Sequence, residues 1–413
     1  MKLYYKIKSG ENTDLHILIF NCGSSSLSYK IFRANNVQRI KPFVYGKAHR
    51  VGVKGTKESF ITYNFRNKTQ KDIVPISTHK EAAKLIFDYI GKNNIRIDLI
   101  GHRFVHGGIL FAKSAFIDSE TLRKLQLCLS LAPIHNPIAL SVIYASKKNL
   151  PDTPQYVAFD SAFHSTLPPA AYTYPLPKAI VKKYAYRKYG FHGLSYLDVM
   201  GKAADYLKVP AKKLKLIICH LGTGGSSVAA IKHGRSIDTS MGYSPLTGLV
   251  MSTRCGDIDP MLAIYLMAAY GYRPDSLLDM LEKKSGLIGL AGFSSDLRDI
   301  IGKQDQPRAK RAFDMYIHRL KEYIGSYIAA LGGLDALVFT DDIGVQNSPV
   351  REQVCADMAW AGISLNINKN HGASGAKIVE LNSKTAPVKI LSIPNDEERI
   401  ICLEGVKLME KNA

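Results

Sequence analysis

The sequence predicts an α/β protein of two domains built on one repeated plan, and three observations carry this. Apolar runs that end in Gly/Ser loops recur along the chain with helical patterns between them, the alternation expected of strands and helices in an α/β fold. The run "LHILIF" leads into "NCGSSSLSYKIF", and "LKLIICH" leads into "LGTGGSSVAAI"; this hairpin-like unit thus occurs twice, about 200 residues apart. A chain of 413 residues is long enough to give each of two domains a proper core.

Taken in order, the opening "MKLYYKIKSGENTD" lacks an apolar h-region and a small-residue cleavage site, so no signal peptide is expected. The first hairpin follows. "HKEAAKLIFDYIGK" and "SETLRKLQLCLSL" read as helices, and the second hairpin comes after them. Residues 301–330 carry apolar side chains at helical spacing and predict a long amphipathic helix entered after Pro307. "LDALVFTDDIGV" (334–345) reads as a buried strand, with Leu337, Val338 and Phe339 as its apolar run. Thr340 ends that run, Asp341 and Asp342 follow, and Gly344 is expected to turn the chain. Loops after parallel strands hold phosphates with glycine and bare N–H groups, so two carboxylates there ask which ligand tolerates them.

Composition narrows the function classes. The chain is 46% hydrophobic and 22% charged, and no apolar run approaches the roughly 20 residues that span a bilayer. The six cysteines are scattered without a CxxC pair, which suits free thiols in a reducing cytoplasm better than a disulfide frame or a zinc site. The net charge of +20 comes from short basic groups, with no basic tail and no nucleic-acid motif. A basic surface that attracts small anionic substrates is the expectation, and nucleic acid and membrane are not.

The loops offer anion chemistry. In "NCGSSS", Gly23 permits a tight turn, Ser24, Ser25 and Ser26 add hydroxyls, and Asn21 adds an amide. "HLGTGGSS" repeats this with His220, Gly222, Thr223 and Gly224, and two such loops could clamp a polyphosphate. "GHRFVHGG" carries Arg103 and "STRCGDIDP" carries Arg254, each suited to bidentate recognition of a carboxylate or phosphate, or else to a structural ion pair. His135, His164 and His192 sit in Gly/Pro-flanked loops, and Asp160 closes "YVAFD". Asp396, Glu397 and Glu398 cluster in "SIPNDEER"; such carboxylates suit Mg²⁺, which takes one or two of them plus substrate oxygens. Neither GxxxxGK followed by Ser or Thr, nor GxGxxG, nor zinc spacing occurs.

Together these residues resemble the acetate kinase family of the acetate and sugar kinase/actin (ASKHA) superfamily, from Asn21 to Glu398. The ordered motifs are "NCGSSSL", "GHRFVHGG", "APIHNP", "FDSAFH", "YGFHG", "HLGTGGSS", "DTSMGYSPLTGLVMSTRCGDIDP", "SGLIGLAGFSSDLRD" and "NDEE". The resemblance implies a homodimer whose subunit has two duplicated ribonuclease H-like/actin-like domains with an interdomain active-site cleft. It places residues 1–161 and 397–413 in the first domain and 162–396 in the second. It implies catalytic roles for Arg103, Asp160, His192 and Arg254, and phosphate contacts from Asn21, Ser24, Ser26, His220, Gly222, Thr223 and Gly224. Val105, Ile134, His135, Phe191 and Pro245 match the acyl pocket. Mg²⁺ would be placed by Glu397 with Asn21 in support, and Asp160 directly or through water. The implied reaction is in-line phosphoryl transfer to or from an acyl carboxylate, which needs positioning and charge neutralisation.

Four positions depart from the usual ATP-dependent pattern. Ser28 replaces a Lys, Thr223 replaces an Asn, "GFHGTSH" becomes "GFHGLSY", and "TAGIGEN" becomes "TDDIGVQ". The changes cluster on the donor side. Asp342 replaces the glycine that leaves room for a nucleoside and Val345 replaces the Glu, while Ile343 and Gly344 are retained. Asp341, Asp342 and Ile343 therefore read as a gate over the nucleotide pocket. The chain looks like the branch of the family that uses pyrophosphate and phosphate in place of ATP and ADP. An ATP-dependent acetate or propionate kinase, and a catalytically silent binder on the same fold, are the alternatives.

Overall fold

The structure is a computed structural model that describes residues 14–36, 39–53, 55 and 58–411. The N-terminal stretch read above for a signal peptide falls, apart from Asp14, outside the described residues. The chain divides into two compact units: residues 1–163 with 396–413, and residues 164–395.

In unit 1, the chain forms β1 (Leu15–Cys22), β2 (Ser26–Asn36), β3 (Arg39–His49), β4 (Phe60–Phe65), β5 (Lys68–Ile73), β6 (Leu99–Phe104), β7 (Ala115–Phe116) and β8 (Gln155–Phe159). They make one sheet in the order β5-β4-β3-β2-β1-β6-β8-β7. β1 through β5 form an antiparallel meander, β6 and β8 continue it parallel to β1, and β7 returns antiparallel. α1 (His79–Lys92) starts at Thr78, whose side chain accepts from the Glu81 N–H, while the Glu81 carboxylate accepts from Ser77 N–H. α1 buries Ala82, Ala83, Ile86, Phe87 and Ile90, at helical spacing, in one core with Leu18, Phe20 and Ile31 of the sheet. α2 (Ser119–Leu127) and α3 (Asn136–Asn149) follow, and a C-terminal helix (Glu397–Lys411) closes the unit.

In unit 2, β9 (Lys215–Gly222), β10 (Gly225–Lys232), β11 (Arg235–Thr239), β12 (Ala336–Thr340), β13 (Val379–Glu380) and β14 (Lys389–Ser392) form a sheet in the order β11-β10-β9-β12-β14-β13. Here β12 is parallel to β9 and to β14, and β13 is antiparallel. The order and directions match β3-β2-β1-β6-β8-β7 strand for strand, so the repeated hairpin in the sequence is the start of a repeated sheet. The unit also contains α4 (Gly193–Leu207), α5 (Pro260–Tyr270) and α6 (Pro307–Leu331). α6 starts with Pro307 in its first turn and ends at Gly332, whose φ of 65° is the left-handed stop that glycine adopts readily. Its Phe313, Tyr316, Leu320, Ile324 and Tyr327 form one buried stripe against the core. Among the described residues no helix is long and apolar enough to cross a membrane.

One sequence expectation changes. Gly344 does not turn the chain: residues Asp341–Gln346 form a short helix, α7, directly after β12. Asp341 and Asp342 fall in its first turn, where carboxylates complement the exposed N–H groups.

Candidate active site

In unit 1 the candidate side chains gather where β1, β6 and β8 end. Asn21 lies on β1, Arg103 on β6, and Asp160 directly after β8. Ligand sites in such sheets lie outside the carboxyl ends of the strands. Arg103 Nε donates to both oxygens of Asp160 at 3.1 and 3.2 Å, and Nη2 donates to the same carboxylate. Nη1 donates to the Asn21 amide oxygen at 3.1 Å. The Asn21 amide nitrogen donates to Glu397 at 3.0 Å and to Glu398 at 3.1 Å, and Glu397 lies 3.7 Å from Arg103 Nε. Burial works against the charge on Arg103, but Asp160 and Glu397 outweigh it and hold the guanidinium protonated. The serine loop joins β1 to β2. Gly23 N–H donates to the Ser26 carbonyl at 2.9 Å, His79 Nε2 donates to the Gly23 carbonyl, and Ser24 and Ser25 are exposed at the tip. Of the acyl-pocket residues in this unit, Val105 is buried, His135 is half-buried and Ile134 is 43% exposed.

In unit 2 a second group gathers at the ends of β9 and β12. His192 precedes α4 in a left-handed conformation, φ 58°, uncommon for a residue with a side chain. Its Nδ1 lies 2.8 Å from the Ser227 hydroxyl, and its ring stacks on His220 at 4.0 Å. His220 Nδ1 is 2.9 Å from the Ser195 hydroxyl, and its Nε2 is 3.2 Å from Asp341. Phe191 is buried, and its carbonyl accepts from His164 at 2.9 Å. Arg254 differs from Arg103. It makes only long contacts, 3.3 Å to the Pro245 carbonyl, 3.4 Å to the Gly224 carbonyl and 3.6 Å to the Met251 sulfur, and forms no ion pair among the described residues. Burial lowers its pKa, with Glu282 acting in the opposite sense. A Cβ on Gly225 would lie 3.0 Å from Arg254 Nη1 and 3.6 Å from His192 Nε2, so this glycine keeps open the spot where both donors converge.

The two acids of α7 have different partners. Asp341, at φ 64°, reaches His220, and a Cβ on Gly222 would collide with its carboxylate. Asp342 accepts from Thr223 N–H at 2.9 Å, from the Thr223 hydroxyl at 2.8 Å and from Ile343 N–H at 2.8 Å. The Thr223 donors read from the sequence as phosphate ligands are thus taken by a carboxylate of the same chain. Between Thr223, Asp296, Arg298, Asp342 and Asn347 only about 20 Å³ stays open, room for about one water. Below, the fully buried Arg351 donates to the Gly344 carbonyl at 2.9 Å and to the side chain and backbone oxygens of Asn370 at 2.7 and 3.1 Å. This pins the helix that carries both acids.

Among the described residues no three His, Cys, Asp or Glu side chains converge on a metal position. Glu397 and Glu398, both turned toward Asn21, fit Mg²⁺ held by one or two carboxylates and completed by substrate oxygens and water. Lys30 escaped sequence reasoning: its ammonium lies 2.7 Å from Asp396 and 3.3 Å from Glu398. The signal available was strand alternation, which puts Lys30 on the face of Ser28, the residue opposite Asn21.

A match to the acetokinase family spans residues 16–403. The acetate kinase of Caldicellulosiruptor saccharolyticus is 41% identical over 409 residues, covering 96% of this chain and 100% of that protein. The crystal structure of acetate kinase from Entamoeba histolytica is 43% identical with a TM-score of 0.86, covering 95% of this chain and 99% of that one. A propionate kinase from Francisella tularensis, at 34% identity and the same TM-score of 0.86, covers 94% and 98%. The two-sheet architecture is that of these kinases. With its strand plan, its motifs and this coverage, the chain belongs to the acetokinase family.

Proposed function

We propose that this acetate kinase phosphotransferase uses inorganic phosphate and pyrophosphate as its second substrate pair: acetyl phosphate plus phosphate giving acetate plus diphosphate, reversibly. The observation that carries this reading is the Asp342 carboxylate bound to the Thr223 N–H and hydroxyl, with room for about one water beside it. An anion of the chain itself ends the phosphate track there. A diphosphate stops short of it, whereas a nucleotide would need the space beyond.

In this reading a phosphate oxygen forms a new P–O bond as the P–O bond to the acetyl carboxylate breaks. Acetate leaves with the bonding pair, in line. Arg254 and His192 hydrogen-bond the planar phosphoryl group; the free guanidinium of Arg254 is suited to this because it surrenders no ion pair. Arg103, oriented by Asp160 and Asn21, holds the carboxylate end. Ser24, Ser26, His220, Gly222 and Gly224 line the phosphate track, and Val105, Ile134, His135, Phe191 and Pro245 surround the methyl group. Mg²⁺, when bound, neutralises charge on the diphosphate oxygens, and Glu397, with Asn21 in support, is the residue that would hold it.

A second copy of this chain is the proposed partner of α5. None of its 11 residues is buried, and Leu262, Ile264, Tyr265 and Tyr270 are 48–75% exposed, an open apolar helix of the kind that marks interaction sites. The proposed location is a reducing cytoplasm, in keeping with six free cysteines.

The test offers purified protein acetyl phosphate and Mg²⁺ with phosphate in one tube and ADP in another. Diphosphate formation without ATP supports the reading. ATP formation at kinase rates overturns it in favour of an ATP-dependent acetate or propionate kinase, and neither product from folded protein favours a silent binder.

A further inference from the structure

With no ion pair among the described residues and only long contacts of its own, Arg254 depends on its backbone for its position. That backbone belongs to a loop whose stem is closed by Gly248 and Asp257. Asp257 N–H donates to the Gly248 carbonyl at 3.0 Å, and Gly248 N–H donates to one oxygen of the Asp257 carboxylate at 2.8 Å. The two sides of the stem run so close that a Cβ on Gly256 would lie 2.5 Å from the Leu249 carbonyl. Two side chains one turn apart on α6 hold this stem. Arg319 Nη1 donates to the Gly248 carbonyl at 3.3 Å and to the Asp257 carbonyl at 3.2 Å, while its Nε donates to Glu322. The Tyr323 hydroxyl donates to the second oxygen of Asp257 at 2.5 Å. Burial, with Asp257 acting in the same sense, pushes the Tyr323 phenol up, so it stays protonated and keeps that donor role. The adjoining Leu320, Ile324 and Tyr327 are buried in the core, so the stem is mounted on a fixed element.

We infer that Tyr323 is a positioning residue for Arg254, acting through Asp257 to fix the loop that presents the guanidinium. The inference rests on the reading of Arg254 as a ligand of the phosphoryl group. The outer side of the loop has its own ties. Cys255 N–H donates to the Leu281 carbonyl at 3.1 Å, the Thr253 and Met251 carbonyls accept from Ser285 and Leu287 N–H at 3.1 and 2.9 Å, and the Ser252 hydroxyl donates to the Thr223 carbonyl at 3.2 Å. These contacts keep the loop folded when the stem is loosened, so losing the Tyr323 hydroxyl shifts Arg254 without unfolding its support. The Asp257 side chain is 43% exposed, so water takes the place of the hydroxyl and no buried charge is left unpaired. A guanidinium displaced by a fraction of an ångström still admits the substrate but meets the planar phosphoryl group less well. The loss then falls on kcat rather than on KM.

The experiment is a double-mutant cycle on the full chain, assayed with acetyl phosphate and whichever of phosphate and ADP turns over. It reads kcat, KM for acetyl phosphate and melting temperature for each variant. In the parent background, Tyr323→Phe should lower kcat about five- to tenfold at nearly constant KM, with the melting temperature almost unchanged. In the Arg254→Ala background the same change should cost nothing more, because the group it positions is gone, and in the Asp257→Ala background it should cost nothing because its partner is gone. An equal loss in the parent and Arg254→Ala backgrounds overturns the inference, since a tyrosine that only supports the fold acts whether or not Arg254 is present. So does a parent kcat that Tyr323→Phe leaves unchanged; both results leave the reading of Arg254 intact. If Arg254→Ala itself keeps full activity, that reading fails and the inference falls with it.

Discussion

Replacing Asp342 by glycine removes the carboxylate proposed to end the phosphate track and should let ADP in. Two of its three hydrogen bonds tie α7 to the second phosphate loop, at 2.9 and 2.8 Å. Bonds to a charged group contribute about 1.5–3 kcal/mol each when buried. Asp342 is half-exposed, so about 1 kcal/mol each is the appropriate figure after solvent screening, and the variant should be about 2 kcal/mol less stable. The gain to a nucleotide has two parts. A carboxylate about 6 Å from a phosphate charge, at an effective dielectric of about 40, repels it by about 1.4 kcal/mol, a tenfold effect for each unit of charge. The second part is volume, since glycine also returns the side-chain space. Asp342→Asn separates them, because it keeps the bulk and removes the charge. The assay is ATP formation from acetyl phosphate and ADP, set against diphosphate formation from phosphate. Asp342→Gly should raise ATP formation at least tenfold over the parent, with Asp342→Asn in between. If Asp342→Gly folds, still makes diphosphate and gains nothing with ADP, the reasoning that this side chain gates the nucleoside is wrong.

The two arginines should respond differently. Arg254→Ala should cost about 3–4 kcal/mol of transition-state stabilisation with little change in melting temperature, because no ion pair is lost. Arg103→Ala should lower both activity and stability, because it removes the guanidinium paired with the 1%-exposed Asp160. Equal melting losses in the two variants would refute this distinction. His102 and His164 are fully buried, and desolvation lowers each from 6.5 to about 4 despite the Gln155 and Phe191 hydrogen bonds. The unfolded chain therefore takes up protons that the folded chain refuses. Stability should be complete above pH 6.5 and fall by about 3 kcal/mol per histidine as pH drops toward 4, seen as a falling melting temperature that His102→Gln makes shallower. Leu262→Glu with Tyr265→Glu should turn the proposed dimer into a folded monomer by light scattering; an unchanged mass would exclude α5 from the contact.

Much of the fold was legible because its signals are local. The two hairpins announce themselves by apolar runs on either side of a Gly/Ser turn, and α6 by nine buried positions at helical spacing after Pro307. α7 was not read as a helix because it is six residues long and contains Gly344, although the acids after Thr340 are a proper first-turn signal. The site was legible as residue types but not as pairings. Sequence treats Arg103 and Arg254 alike, and only the fold gives one a buried carboxylate and leaves the other without one. The contact between Lys30 and Asp396 joins positions 366 apart, beyond any spacing argument. Likewise, nothing in "HLGTGG" indicates that Thr223 is already engaged by a side chain 119 residues away.

The left-handed backbone at His192 has a consequence for how far this protein can be stabilised. A side chain in that region costs about 1–2 kcal/mol that a glycine would not. A screen for heat resistance would therefore favour glycine at position 192, and in doing so would delete the imidazole. Asp341, with φ 64°, sets the same trap beside the phosphate loop. If the proposed roles hold, a thermostable variant that keeps its chemistry has to find its gains elsewhere in the chain.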